Sequence, residues 1–221
     1  MKIINFGETV EGYTIPVLNE REIRAGAGIL FLMMYTALML ILFKGNFIII
    51  KYGIIIFLTD LLIRVFINPK FSPILILGRL IVRNQTPQYV GAKQKKFAWL
   101  IGITLGSLMF VMFDIINAYG PPTGLTCLVC LILLFCETAF GICVGCKIYG
   151  WIYKEKAQYC PGEICDIKSR QEIQKTSVAQ IFIVLGLVLY IYFISLLFNG
   201  SFIQKPHDLF GINKPAQTQT K

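Results

Sequence analysis

Long apolar runs separated by short polar joints dominate the chain. The first runs from Ala25 to Phe43 and ends at Lys44-Gly45-Asn46. The second runs from Phe47 to Ile67 and ends at Asn68-Pro69. The third, Phe97 to Ile116, is followed by Asn117-Ala118-Tyr119-Gly120-Pro121-Pro122. The fourth starts at Leu125 and reaches about Cys146, with its pattern continuing to Tyr153. The fifth, Val178 to Phe198, stops at Asn199-Gly200. An apolar stretch of about 20 residues is the helix length that crosses a bilayer core. Only helices and closed barrels satisfy their backbone groups in lipid, and these runs are too continuous for the alternating strands of a barrel. The pattern predicts an all-α, polytopic membrane helical bundle: four core transmembrane helices plus a fifth. Phe71 to Val82, opened by Ser72-Pro73 and broken by Arg79 and Arg83, reads as an amphipathic helix in the membrane interface. An ordinary amphipathic loop helix would show nearly the same pattern. The expected organisation is an N-terminal cytoplasmic segment (1–24), a four-helix membrane core (25–153), a cysteine-containing cytoplasmic loop (154–177), a fifth transmembrane helix (178–198) and a polar, loosely ordered tail (199–221).

Composition agrees with a lipid environment. Hydrophobic residues make up 56% of the 221 residues and charged ones 15%, against about 25% charged in soluble domains. The polar stretch Met1 to Ala25 lacks the charged start and short apolar core of a cleavable signal peptide. The net charge of +9 points to cytoplasmic loops rather than to nucleic acid, because Lys and Arg concentrate on the inner side of membrane proteins. With the N-terminus inside, sixteen of the 21 Lys and Arg residues fall on or next to the inner side. The five on or near the outer side are Lys44, Lys51, Lys205, Lys214 and Lys221. The expected placement is multi-pass in the cell inner (plasma) membrane, N-terminus cytoplasmic and C-terminus outside.

Charges within the spans narrow the chemistry. Asp60 and Arg64 share a helix face four residues apart and read mainly as a structural pair, with Arg64 close enough to the inner end to snorkel. Lys51 and Asp114 are placed to pair near the outer face. Glu137 lies mid-way along the fourth run with no basic residue within a turn, which suits either a proton relay or a hydrogen bond to a neighbouring helix. Gly102 with Gly106, and Gly141 with Gly145, form two G-x-x-x-G pairs that suggest close helix packing between the third and fourth spans.

The seven cysteines all follow residue 126: Cys127, Cys130, Cys136, Cys143, Cys146, Cys160 and Cys165. On one continuous helix Cys136, Cys143 and Cys146 fall within about 80° of one another. Cys127, Cys130, Glu137, Gly141 and Gly145 form a second stripe. Cys127 and Cys130 read as core residues. Cys143-Val-Gly-Cys146 lies at the cytoplasmic end of its span beside Lys147, where a thiolate is favoured. With Cys160 and Cys165 in the next loop, the spacing is C-x2-C-x13-C-x4-C, close to that of a four-cysteine zinc site. A reducing cytosol disfavours a permanent disulfide but allows a transient one. Thiol redox or sulfur transfer, a metal site, and inert thiols all stay open. His207 lies in the tail and reads as solvated. No phosphate-loop, dinucleotide, nucleophile-elbow or haem-attachment motif is present.

Three stretches carry a family resemblance: Arg64-Val-Phe-Ile-Asn-Pro-Lys-Phe-Ser-Pro; Gln94-Lys95-Lys96-Phe97-Ala98-Trp99 with Gly102; and Glu137-Thr-Ala-Phe-Gly-Ile-Cys143-Val-Gly-Cys146-Lys-Ile-Tyr149. From about Glu20 to Tyr153 the chain resembles the bacterial membrane proteins of domain-of-unknown-function family 4395. The resemblance implies a four-helix membrane domain. Such domains occur beside, or fused to, rhodanese-like or thioredoxin-like proteins, which implies thiol or sulfane-sulfur chemistry and a partner of that kind. The fifth span and the Cys160/Cys165 loop look like additions.

The expected function is thiol/disulfide or sulfane-sulfur handling at the cytoplasmic membrane face. The expected catalytic residues are Cys143, Cys146, Cys160, Cys165 and Glu137. One alternative is a transporter or channel for a small sulfur species. Another is a non-catalytic membrane subunit in which Cys143, Cys146, Cys160 and Cys165 hold zinc. The sequence leaves open whether the protein is an enzyme, and it implies no certain cofactor.

Overall fold

The computed structural model describes residues 6–154, 177–204 and 206–208. It contains helices α1 (Glu20–Lys44), α2 (Ile48–Leu62, prolonged by a π-helical turn Ile63–Ile67), α3 (Pro73–Val82), α4 (Ala92–Phe110, prolonged by a π-helical turn Val111–Ile115), α5 (Pro121–Phe140), α6 (Val144–Tyr153) and α7 (Val178–Ile203). Two short strand pairs join them: antiparallel β1 (Val17–Asn19) with β2 (Tyr89–Gly91), and parallel β3 (Ala118–Tyr119) with β4 (His207–Asp208). Four helices, Glu20–Lys44, Ala92–Ile115, Pro121–Phe140 and Val178–Ile203, are long and apolar enough to cross a membrane. The remaining expected span, α2 with its π turn, is continuous from Ile48 to Ile67. That is about 30 Å of helix, but it carries buried Lys51, Asp60 and Arg64.

The expected span boundaries shift by about a turn. α1 begins at Glu20 and α4 at Ala92, each before the apolar run starts, because Glu20, Glu22 and Lys95 in those first turns are buried and paired inside the bundle. Hydropathy marks where charge ends. The helix begins where its cap is, and Asn19 caps α1 by accepting from the Arg21 amide at 3.2 Å. α1 ends at Gly45, whose φ of 59° is the left-handed turn glycine favours.

α1 carries the packing of the bundle. Its neighbours are α2, α3 and α5, and α4 lies against α2 and α6. One apolar core holds Leu30, Phe57, Leu61, Leu75 and Trp99; another holds Met34, Ile50, Ile54, Met109 and Phe113. The helix expected in the interface, α3, is held against α1. Gly78 lets the two backbones meet, since a Cβ there would lie 2.7 Å from the Glu22 carbonyl oxygen. Arg79 forks onto the Glu22 carboxylate with two bonds of 3.1 Å.

Asp60 and Arg64 form the expected pair, and their surroundings make it architectural. Asp60 accepts from the Ser72 hydroxyl at 2.6 Å and from the Ile74 amide at 2.9 Å, while Arg64 Nε donates to Ser72. The pair therefore pins the start of α3 to α2.

The opposite end differs from expectation. Lys51 donates to Asn117 Oδ1 at 2.7 Å and to the Ser201 and Gln204 carbonyls at 3.2 Å, rather than bonding to Asp114. α7 runs through Asn199-Gly200 to Ile203, past the expected stop, and His207–Asp208 form β4. At its start Gln180 donates to the Lys70 carbonyl at 3.0 Å. These contacts gather the start of α1, the end of α2, the start of α4, the end of α5 and the start of α7 at one polar end. The other terminus of each helix lies at the opposite end. The chain thus traverses the bundle five times.

The two G-x-x-x-G pairs do not face each other, although Gly145 gives the expected close approach of the third and fourth apolar runs. Gly102 and Gly106 face Leu61 and Phe57 of α2, whereas Gly145 faces Ala98 of α4.

Candidate functional site

The fourth apolar run is two helices, not one. α5 ends at Gly141, whose φ is 64°. The Arg24 guanidinium packs over that glycine and donates to the Thr138 carbonyl at 3.1 Å, satisfying a helix-end acceptor. The expected single stripe of Cys136, Cys143 and Cys146 therefore does not exist. After the break, Cys143 has an extended backbone (φ −81°, ψ 98°) and is the N-cap of α6. Its sulfur accepts from the Cys146 amide at 3.2 Å.

α6 is held by close packing. A Cβ on Gly145 would lie 2.5 Å from Ala98 Cβ and 2.7 Å from Ala98 Cα. Tyr149 and Tyr153 sit edge-on to Phe97 of α4. The outer side of α6 presents Trp151, 84% exposed, together with Ile152 and Tyr153.

The two thiols are unlike. Cys143 is half-buried and Cys146 is buried, one turn behind it. Both lie outside the four long apolar helices. A hydrogen bond from the Cys146 side chain holds the Cys143 thiol below the ordinary cysteine range. Burial opposes this, and the positive charge of Lys95 supports it. The same thiol–thiol bond, together with burial, pushes Cys146 well above that range. A sulfur at a helix N-terminus, facing a free amide, is where a thiolate is favoured.

Glu137 is not unpaired. Its carboxylate lies 2.6 Å from Lys95 Nζ, and the same ammonium lies 2.7 Å from Glu20 Oε2. Lys95 is 1% exposed. The sequence reading missed Glu20 and Lys95 as site residues because their closeness arises from chain pairing. β1 leads into α1 and β2 into α4, with Asn19 opposite Tyr89, and the Glu20 amide donates to the Gln88 carbonyl at 2.6 Å. The two helices therefore start side by side, setting the fourth residue of α4 against the first of α1. No local spacing signals this.

Cys143 and Glu137 line a common cavity of about 320 Å³ with Arg64, Trp99, Cys130 and otherwise apolar side chains of α1, α2, α4, α5 and α6. The Arg64 guanidinium lies 5.3 Å from the Trp99 ring centre. Cys127 and Cys130 are buried on α5, as expected of core cysteines. Cys160 and Cys165 lie outside the described residues. Among the described residues, no group of three or more His, Cys, Asp or Glu side chains is placed to hold a metal ion.

Residues 18–154 match the domain of unknown function DUF4395. The chain belongs to this family. The DUF4395 match starts within β1 and stops one residue after α6, so it contains the helix break, the cysteine pair and the Glu20–Lys95–Glu137 cluster. The segment bearing Cys160 and Cys165, and α7, lie beyond it. No curated protein and no solved structure matches the chain.

Proposed function

We propose that this DUF4395 protein is a membrane thiol–disulfide exchange protein whose working pair is Cys143 and Cys146. The observation that carries the reading is Cys143 at the N-cap of α6, with its sulfur bonded by the Cys146 amide and Cys146 buried behind it. Stabilising the thiolate favours the reduced form, and a dithiol so stabilised is an oxidant in its disulfide form. The pair in this reading accepts electrons from a partner dithiol. A partner thiolate attacks the Cys143 sulfur, the Cys143–Cys146 bond breaks, and Cys146 leaves and takes up a proton. The partner's second thiolate then attacks its own sulfur in the mixed disulfide and releases the Cys143 thiolate. The partner loses two electrons to the Cys143–Cys146 pair. Glu137, on the same cavity wall, exchanges the proton, and Lys95 and Glu20 hold its carboxylate in place.

The partner class is a soluble thioredoxin-like or rhodanese-like protein; from a persulfide carrier, the reduced Cys143 thiolate attacks the outer sulfur, the carrier's S–S bond breaks and its cysteine leaves as the thiolate. The placement proposed is multi-pass in the inner membrane with the polar end, which bears Arg21, Arg24, Lys70, Arg79 and Lys95, facing the cytoplasm. The exposed Trp151 and Tyr153 of α6 suit the interface level.

The test is trapping. A thioredoxin-like protein lacking its resolving cysteine should form a mixed disulfide with the oxidised full-length protein. Cys143→Ser and Cys146→Ser should each abolish that adduct, and an adduct unchanged in Cys143→Ser would sink the reading. In the reduced protein, alkylation by iodoacetamide should continue at Cys143 to lower pH than the ordinary thiol value of about 8.5, because its thiolate persists there. Cys146 should stay unlabelled across the same range, and equal pH profiles for the two sulfurs would contradict the assignment.

A further inference from the structure

The cavity beside the thiol pair has a polar end and an apolar end. Arg64, Glu137 and Cys143 lie at the polar end of the bundle, and Leu30, Phe57 and Leu105 lie deeper. From Ile23 to Leu30, from Arg64 back to Phe57 and from Ala98 to Leu105, each wall recedes by roughly seven residues, about 10 Å along the helices. Two lining residues, Val129 on α5 and Ile148 on α6, are accessible, at 38% and 37%. The cavity therefore opens sideways between α5 and α6, onto the apolar face that a membrane would cover. Its volume of about 320 Å³ falls in the range of small-molecule sites, roughly 300–1,000 Å³.

We propose that this cavity binds a lipid-soluble quinone, which reoxidises the Cys143–Cys146 pair. The inference rests on the exchange reading above, since only a redox-active pair requires an electron acceptor. Lateral entry through apolar walls selects a ligand carried in the bilayer. The polar end suits a ring bearing carbonyl oxygens, with Arg64 as a donor, and the deeper apolar part suits its hydrocarbon tail. The acceptor must take two electrons and two protons, as a quinone does. The Cys143 thiolate adds to a ring carbon of the quinone. The Cys146 thiolate then attacks the Cys143 sulfur, the carbon–sulfur bond breaks, and the disulfide forms. The two thiol protons, one passed by way of Glu137, end on the ring oxygens, so dithiol plus quinone becomes disulfide plus hydroquinone.

The experiment uses the reduced full-length protein in detergent micelles, without oxygen, mixed with a benzoquinone carrying a ten-carbon tail. Hydroquinone absorbance and the Cys143–Cys146 disulfide should appear in equal amounts. Val129→Trp at the mouth and Leu133→Trp in the wall should slow this step about tenfold or more, the effect of losing about 1.4 kcal/mol of binding. Both should keep mixed-disulfide trapping, which also reports that they fold. A second measurement needs no cavity variant. With Trp151→Phe, Trp99 is the remaining tryptophan, and the quinone should quench its fluorescence to saturation.

If the disulfide does not form with quinone while trapping is intact, the quinone inference falls and the exchange reading stands. Loss of trapping in the unmodified protein fells the exchange reading itself. Unchanged rates in both cavity variants, or a phospholipid in the cavity that the quinone does not displace, would also overturn the quinone site.

Discussion

Lys95→Met should destabilise the folded protein by about 3–5 kcal/mol, the usual cost of leaving a buried charge without its partner. Lys95 is buried between Glu20 and Glu137 at 2.7 and 2.6 Å. Apart from that contact, neither oxygen of Glu20 has a hydrogen-bond partner. Removing the ammonium leaves two carboxylates facing each other, that of Glu20 buried and that of Glu137 largely so. Methionine keeps the apolar volume of the lysine stem, so packing loss is a minor part of the effect. The control neutralises the carboxylates. A triple variant with Glu20→Gln, Glu137→Gln and Lys95→Met should recover most of the loss, because an apolar replacement of a whole buried ion cluster is often nearly neutral. Reversible unfolding in mixed micelles measures both. If Lys95→Met alone costs no more than about 0.5 kcal/mol, the range of ordinary surface changes, the cluster is not the buried charge site described.

Gly145→Ala should disturb the cysteine pair without touching either sulfur. Gly145 is the second residue of α6, and helix propensity favours alanine over glycine by at most the interior value of about 1 kcal/mol, so propensity alone predicts stabilisation. The contact decides otherwise. The new Cβ would lie 2.5 Å from Ala98 Cβ and 2.7 Å from Ala98 Cα, and the latter belongs to the backbone of α4. Overpacking of this kind costs about 1–3 kcal/mol, which outweighs the propensity gain. The strain can be relieved by moving α6 away from α4, and that movement takes the N-cap Cys143 with it. Mixed-disulfide formation at Cys143 should fall with stability. Ala98→Gly should rescue the variant in part, since it removes the nearer of the two clashing atoms and leaves the Cα. Full activity in Gly145→Ala would show that α6 does not depend on this contact.

Two further features follow from the polar end of the bundle. Arg24 serves as the cap of α5, through Thr138 and Gly141, so it acts on the helix break rather than on the thiols directly. The Glu22–Arg79 and Asp60–Arg64–Ser72 clusters pin α3 to α1 and α2. Together with the Glu20–Lys95–Glu137 group they form a layer of buried ion pairs at the cavity's polar end.

The sequence by itself determined the all-α class of fold, its long apolar helices and the family. Long apolar runs state their own length and solvent, and Cys-x-x-Cys is visible as spacing. The family stretches around Arg64, Lys95 and Glu137 were legible too, although the roles of their residues were not. Gly141 carried a sequence signal that the helix had ended, because glycine is the residue that turns left-handed at a C-terminus; as half of a G-x-x-x-G pair it read as packing instead. Only the tertiary structure decided that Glu137 is paired, that Glu20 belongs to the site, and that Cys143 caps a new helix. The reason is physical. Hydropathy and periodicity report on neighbours along the chain. The β1–β2 pairing sets residues seventy or more positions apart side by side, and a buried charge is defined by the partner such a pairing brings.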